Sequence, residues 1–328
     1  MGIEAQIAFL NRIKLTHPAH QLFAGQIADI LGIGLNEAYK KISGKSFLSL
    51  EQISMLCKAY NTSFSINEIE GQSQVTFNYS AMKSSSTHIE TFLDGLEREM
   101  QALVKMTDAE IITTTDDIPL FHLFRYPQLS AFKFYFWRSQ VVAEASSASE
   151  PFTADSISED LIRKAARLHE LYRQVPSTEI WTYDTLLGTL SQLQYVYESN
   201  LIEDKELLFT ICDQLKQTLR DVNIYATRQS KGEIDNPRAE FNWYTCDLNA
   251  CITYLIRTKD TYAAYHRFNT FNYLRTTDAV FCQEVENWMK NIMEKSISFT
   301  RQGQKQRNNY VKSAIERCDE FTDLIRSN

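Results

Sequence analysis

Residues 23–42 read FAGQIADILGIGLNEAYKKI, and this stretch decides the fold of the amino-terminal end. Ile27, Ile30 and Leu31 recur at helical spacing, which predicts a short helix from about Phe23 to Leu31. Gly32 and Gly34 break it. A second short helix is predicted from about Asn36 to Ser43, and Gly44 stops it as a C-terminal cap. Ala28 is small where two helices would cross closely, Gly32 tolerates the positive φ of a sharp bend, Ile33 fills the bend, and Ala38 lets the second helix approach.

Outward from there, Ile3, Ile7, Leu10 and Ile13 mark one face of a helix over 3–14. THPAHQ, residues 16–21, interrupts it at Pro18. Ser49-Leu50-Glu51-Gln52 has the form of a helix start, and the helix it opens carries Ile53, Leu56 and Tyr60 before Asn61 ends it. A fifth short helix is expected near Ser65 to Asn67. The polar run GQSQVTFNYSAMKSSS, residues 71–86, is the best linker candidate. The expected organisation is thus a helical domain over 1–70, a linker over 71–87 and a larger domain over 88–328.

In the larger domain a helix over about 88–106 carries Ile89, Phe92, Leu93, Leu96, Met100, Leu103 and Val104 at near-heptad spacing. That stripe suits a dimer contact or packing on its own domain equally well. AEIITTT, residues 109–115, reads as a strand. The aromatic stretch FHLFRYPQLSAFKFYFW, 121–137, is expected to fill a core more readily than to wall a pocket, with His122 as a satisfied core residue. Helices are predicted at about 157–174, 180–198, 203–228, 277–296 and 304–326. Residues 241–276 have strand-like composition and are expected to form a small antiparallel sheet. The predicted class is therefore mainly α: a four- or five-helix amino-terminal domain and a mostly helical carboxy-terminal region with that sheet (α+β).

The chain of 328 residues carries a net charge of −7, which does not favour nucleic acid. The distribution matters more. Over 1–66, Arg12, Lys14, Lys40, Lys41, Lys45 and Lys58 face Glu4, Asp29, Glu37 and Glu51, a balance of +2 that leaves −9 on the rest. The six cysteines form no C-x-x-C pair and are expected to be reduced thiols. His17 and His20 stand three apart but flank Pro18, and no third ligand is evident, so neither a metal nor a cofactor is expected. Asp116-Asp117 are adjacent on an extended segment and point to opposite faces. No nucleophile elbow, P-loop, dinucleotide fingerprint or H-E-x-x-H site is present, so an enzyme is not expected. With no signal-peptide core and no run of 18 apolar residues, the expected location is cytoplasmic, with no membrane partner.

Taken together, residues 3–70 resemble the helix-turn-helix domain of Cro/C1-type repressors. In that fold an apolar residue falls three places after Ala38, where this chain has Lys41. The apolar Ile42 comes one place later, so the rotation of the second helix, and which of Lys40 and Lys41 faces DNA, stay open. Ala38-Tyr39-Lys40-Lys41-Ile42-Ser43-Gly44, with Leu48-Ser49-Leu50, is similar to the A-Y-R-R-I-x-G segment of BDF-type bacterial transcription regulators. Asp117-Ile118-Pro119-Leu120-Phe121-His122 and Tyr126-Pro127-x-Leu129-x-x-Phe132-Lys133-x-x-x-Trp137 resemble the start of that family's long carboxy-terminal region. The resemblance implies a sequence-specific regulator that binds double-stranded DNA as a homodimer, with a small-molecule or peptide effector as an option for the carboxy-terminal region.

The helix from about Leu35 would then enter the major groove. Asn36, Glu37, Tyr39 and Lys40 would lie nearest the base edges, and Lys41, Lys45 and Gln26 would meet phosphates. The alternative is a protein-interaction module whose amino-terminal helices never touch DNA.

Overall fold

A computed structural model describes residues 2–16, 23–60, 62–64, 74–80, 88–141, 150–232, 239–246, 252–259, 261–268 and 272–327. The chain divides into two compact units: Met1–Asn78 with Asp260–Ala264 and Arg275–Asn287, and Tyr79–Lys259 with Tyr265–Leu274 and Trp288–Asn328.

The first unit opens with four helices: α1 (Gly2–Thr16), α2 (Phe23–Leu31), α3 (Leu35–Ile42) and α4 (Leu50–Ala59). Phe9, Leu10 and Ile13 of α1, Ile27, Ala28 and Leu31 of α2, Ala38 of α3 and Leu56 of α4 share one apolar core, with Leu48 and Tyr60. Both bends around α3 are closed by paired backbone bonds of the Schellman type. Gly32 has φ +63°, and the Ile33 N–H donates to the Ala28 carbonyl at 3.0 Å. Gly44 has φ +72°, and the Lys45 N–H donates to the Lys40 carbonyl at 2.8 Å. Gly44 also lies tight against α1, where a β-carbon would come within 2.8 Å of Ile7 Cδ1. Ser49 caps α4 in a reciprocal capping box with Gln52. The predicted fifth helix near 65–67 and the His17–His20 pair lie outside the described residues, as does most of the proposed linker.

In chain order the remaining elements are α5 (His88–Lys105), β1 (Glu110–Thr115), α6 (Leu120–Leu123), α7 (Pro127–Val141), α8 (Glu159–Tyr172), β2 (Ser177–Trp181), α9 (Leu187–Glu198), α10 (Lys205–Arg228), β3 (Phe241–Thr245), β4 (Thr253–Arg257), β5 (Tyr262–Phe268), β6 (Asn272–Thr276), α11 (Ala279–Glu294), β7 (Ile297–Ser298) and α12 (Gln304–Ser327). The strands form one seven-stranded sheet in the order β6-β5-β4-β1-β2-β3-β7.

This sheet corrects the expected fold class. In place of a small antiparallel sheet confined to 241–276, the sheet is mixed and central. β1 runs parallel to β2, with Ile111 opposite Ser177, and β2 runs parallel to β3, with Ser177 opposite Phe241. β4 joins β1 antiparallel. The parallel core is built by two helical crossovers, α6–α8 between β1 and β2 and α9–α10 between β2 and β3. The sequence reading misses β2, where it expects a helix over 180–198, and the two-residue β7. All five residues of STEIW are buried, as befits a strand covered on both faces, and this removes the alternation that marks a half-exposed one. The helix begins only at Leu187.

α5 packs against α8, with Ile89, Leu93, Met100 and Leu103 buried in the second unit's core. Lys164 and Arg167 of α8 pair with Asp94 and Glu97 of α5. Of the two uses open to its apolar stripe, α5 takes packing on its own unit. Cys212, Cys282 and Cys318 are buried free thiols, Cys57 is a half-buried one, Cys246 is buried, and Cys251 lies outside the described residues. Among the described residues no helix is long and apolar enough to cross a membrane.

Candidate nucleic-acid interface

α3 is amphipathic over little more than two turns. Ala38 and Lys41 are its buried residues, while Leu35, Asn36, Tyr39, Lys40 and Ser43 lie on the exposed flank. Every residue on that flank follows from one spacing, since positions i, i+1, i+4, i+5 and i+8 share a helix side. α2 packs on α3 across the Gly32 bend, and Ala28 and Ala38 at the crossing keep the two backbones close.

The seven residues read as DNA-facing do not all share this surface. Asn36, Tyr39, Lys40 and Lys45 are exposed. Gln26 is half-buried and accepts from the Tyr60 hydroxyl at 3.5 Å. Glu37 is partly exposed but engaged. The Ser46 hydroxyl donates to its Oε1 at 3.1 Å, and Lys40 Nζ stands 3.4 Å from its Oε2. The Ser46 bond, followed by Lys40 and Lys41, holds the Glu37 carboxyl below its ordinary range.

Lys41 requires a correction. It is only 7% exposed and points into the unit, where its Nζ donates to the Phe47 carbonyl at 2.8 Å. It takes the inward position that an apolar residue would otherwise fill: its methylene stem covers the core and its ammonium reaches a backbone carbonyl. The expected phosphate contact from Lys41 is therefore withdrawn, and Lys40 is the lysine on the outer flank.

Two features escaped the sequence reading. One is a set of exposed apolar side chains on α3 and just after it: Leu35 and Tyr39 are each 47% exposed, Phe47 66% and Leu50 86%. The other is Gln6. It sits on α1 among Ile3, Ile7 and Leu10, and it is buried. Its Nε2 donates to the carbonyls of Lys41 at 2.7 Å and Ser46 at 2.9 Å. Its Oε1 accepts from the Leu48 N–H at 2.7 Å. The available signal was a polar residue on the apolar face of a helix, which costs free energy unless hydrogen-bonded.

The second unit holds another polar constellation, on one face of β2. Glu179 is fully buried. His122 Nε2 lies 2.8 Å from its Oε1, Trp181 Nε1 donates to its Oε2 at 2.8 Å, and the Tyr172 hydroxyl donates to Oε1. Lys231 Nζ donates to Ser177 Oγ at 2.7 Å and lies 3.3 Å from the Tyr172 ring centre. Burial pushes the Glu179 carboxyl up, but the His122 ring, Lys231 and the converging donors outweigh it and hold the group below its ordinary value.

A parallel cluster joins Lys133 Nζ to Asp117 Oδ2 at 3.0 Å and to Gln192 Oε1 at 2.8 Å, while Asp116 faces Arg267 instead. Glu179, His122, Lys133 and Lys231 are buried, and their polar atoms are engaged within these two clusters. The aromatic run 121–137 supplies core: Phe121, Phe124, Phe132, Phe134 and Trp137 are all buried. Among the described residues no group of three or more His, Cys, Asp or Glu side chains is placed to hold a metal ion.

No family model, curated protein or solved structure matches this chain.

Proposed function

We propose that the chain is a sequence-specific DNA-binding transcription regulator of the helix-turn-helix kind, with α3 as the helix that enters the major groove. The observation that carries this reading is the exposed flank Asn36–Tyr39–Lys40 on a short helix set at the glycine bend from α2. Asn36 offers an amide suited to the adenine edge, and Tyr39 and Lys40 offer a phenol and an ammonium beside it. Lys45, next along the chain, serves a phosphate. Glu37 is occupied by Ser46 and Lys40 and has no part in base reading here. A homodimer reading two half-sites ~34 Å apart fits the motif, and an effector for the second unit belongs to the same proposal.

The test is selection of duplexes from a random pool by the full chain, followed by fluorescence anisotropy on the winner and on a scrambled duplex. A recurrent motif whose affinity falls steeply with salt is the expected result. Equal, weak binding to all duplexes sinks the reading.

The exposure of Leu35, Tyr39, Phe47 and Leu50, four large apolar side chains within 16 residues of sequence, favours a second reading, a protein-interaction surface without DNA. Under that reading the Lys40→Glu, Lys45→Glu double variant leaves the chain's interactions intact.

A further inference from the structure

Residues 46–48 follow α3 and precede α4, and each of the three is tied down. Ser46 is held by its carbonyl to Gln6 Nε2 at 2.9 Å and by its hydroxyl to Glu37 at 3.1 Å. The Phe47 carbonyl accepts from Lys41 Nζ at 2.8 Å. The Leu48 N–H donates to Gln6 Oε1 at 2.7 Å. Gln6 also donates to the carbonyl of Lys41 itself, so one α1 side chain grips the end of α3 and the loop after it. Gly44 completes the seat by letting the loop lie against Ile3 and Ile7.

We propose that Gln6 is a positioning residue of the DNA interface, acting through this clamp with Glu37 and Lys41, and that sequence discrimination depends on it more than bulk affinity does. This rests on the DNA-binding reading above. The clamp fixes the exposed loop residues Lys45 and Phe47 relative to Asn36, Tyr39 and Lys40. Base-edge contacts need that register held to a fraction of an ångström, whereas attraction to phosphates tolerates looseness. Glu37 changes role accordingly. It holds Ser46 and steers Lys40.

The experiment uses the full chain and the variant Gln6→Met, which keeps the side-chain length and removes its hydrogen-bonding groups. Two measurements are made. Amide hydrogen exchange reads the clamp without DNA: the Leu48 N–H should exchange ~10-fold faster or more, while α2 and α4 keep their protection. Anisotropy reads the ratio of Kd on the scrambled duplex to Kd on the selected one, and this ratio should fall ~10-fold with little change on the scrambled duplex.

Leu56→Val, a core lesion on α4 that touches none of the clamp's hydrogen bonds, lowers stability but should leave the ratio unchanged. Ser46→Ala removes only the half-exposed link to Glu37 and should lower the ratio ~3-fold, which keeps the test open if Gln6→Met does not fold. Unchanged Leu48 exchange, or an unchanged ratio with the loop released, overturns the proposal. A wild-type chain with no sequence preference instead overturns the DNA reading itself, and the positioning role falls with it.

Discussion

Lys41 donates its ammonium to the carbonyl of Phe47, 2.8 Å away, from inside the first unit. Its neighbour Lys40 stands outside with a side chain 59% exposed. Two adjacent lysines of the same helix therefore do different work. Lys45→Ala, which removes a phosphate contact, should reduce the slope of log affinity against log salt by ~0.9, while Lys40→Ala, at the base edges, should narrow the gap between the selected and scrambled duplexes. Lys41→Met, which keeps the apolar stem, should leave the slope unchanged and shift stability by ~1 kcal/mol. Anisotropy titrations between 50 and 200 mM salt, as orders of magnitude suited to such contacts, check both. A slope that falls with Lys41→Met contradicts the inward placement.

The two left-handed glycines beside α3 should differ in their response to alanine. Gly32 meets nothing within 4 Å of an added β-carbon, so Gly32→Ala bears only the backbone penalty of ~1–2 kcal/mol. Gly44→Ala bears that and the collision with Ile7 Cδ1, which adds ~1–3 kcal/mol unless Ile7 turns aside. Thermal melts of the two variants, followed by helical circular dichroism, should rank Gly44→Ala clearly below Gly32→Ala. Equal melting temperatures would show that α1 yields freely there.

Glu179 is fully buried and accepts from three side chains. Removing the carboxylate strands His122, Tyr172 and Trp181 in the core, so Glu179→Ala should cost ~3–5 kcal/mol. Tyr172→Phe removes one donor and should cost ~1–2 kcal/mol. All four tryptophans, at 137, 181, 243 and 288, lie in the second unit. Urea unfolding followed by tryptophan fluorescence therefore reports these losses without interference from the first.

His169 gives that unit an acid limit. Burial pushes its imidazole down to about 3; the nearby His122, Arg125 and Arg173 push the same way, and the bond to the Phe121 carbonyl opposes them. Glu170 stands 4.0 Å from its Nε2 without reversing the direction. A histidine depressed in the fold stays neutral while the unfolded chain takes up a proton below about 6.5. Its contribution is complete above that pH and is lost toward pH 3, by ~1.4 kcal/mol per pH unit. Urea midpoints between pH 7 and 5 should fall on this account. His169→Asn, which retains a donor toward Phe121, should remove this part of the fall; the same slope in wild type and variant would exclude His169 as its source.

Much of the first unit was legible because its determinants are local. Ala28, Gly32, Ile33 and Ala38 occupy fixed offsets within one short stretch, and the helices fall where their apolar spacing puts them. Lys41 was not legible, because its placement is decided by Phe47, whose carbonyl accepts the ammonium only after the loop has folded back. Gln6 hid for the same reason, since its partners lie 35 to 42 residues away along the chain. In the second unit Ile111–Thr115 read correctly as a strand. Ser177–Trp181 did not, because Glu179 at its centre looks like a surface residue until His122, Tyr172 and Trp181 surround it. The direction of β3 was equally out of reach: whether it lies parallel or antiparallel depends on crossovers that periodicity does not record.

The register of the three parallel strands also bears on how the polypeptide acquires its shape. Ile111 meets Ser177 and Ser177 meets Phe241, so each pairing closes a loop of more than 60 residues before any reward is collected. α1 to α4 join partners close in sequence. Chains dominated by distant pairings organise orders of magnitude more slowly than local helical ones. The amino-terminal helices thus form early, while the sheet is still searching. A stopped-flow refolding trace should separate the two, with rapid ellipticity gain preceding the tryptophan signal.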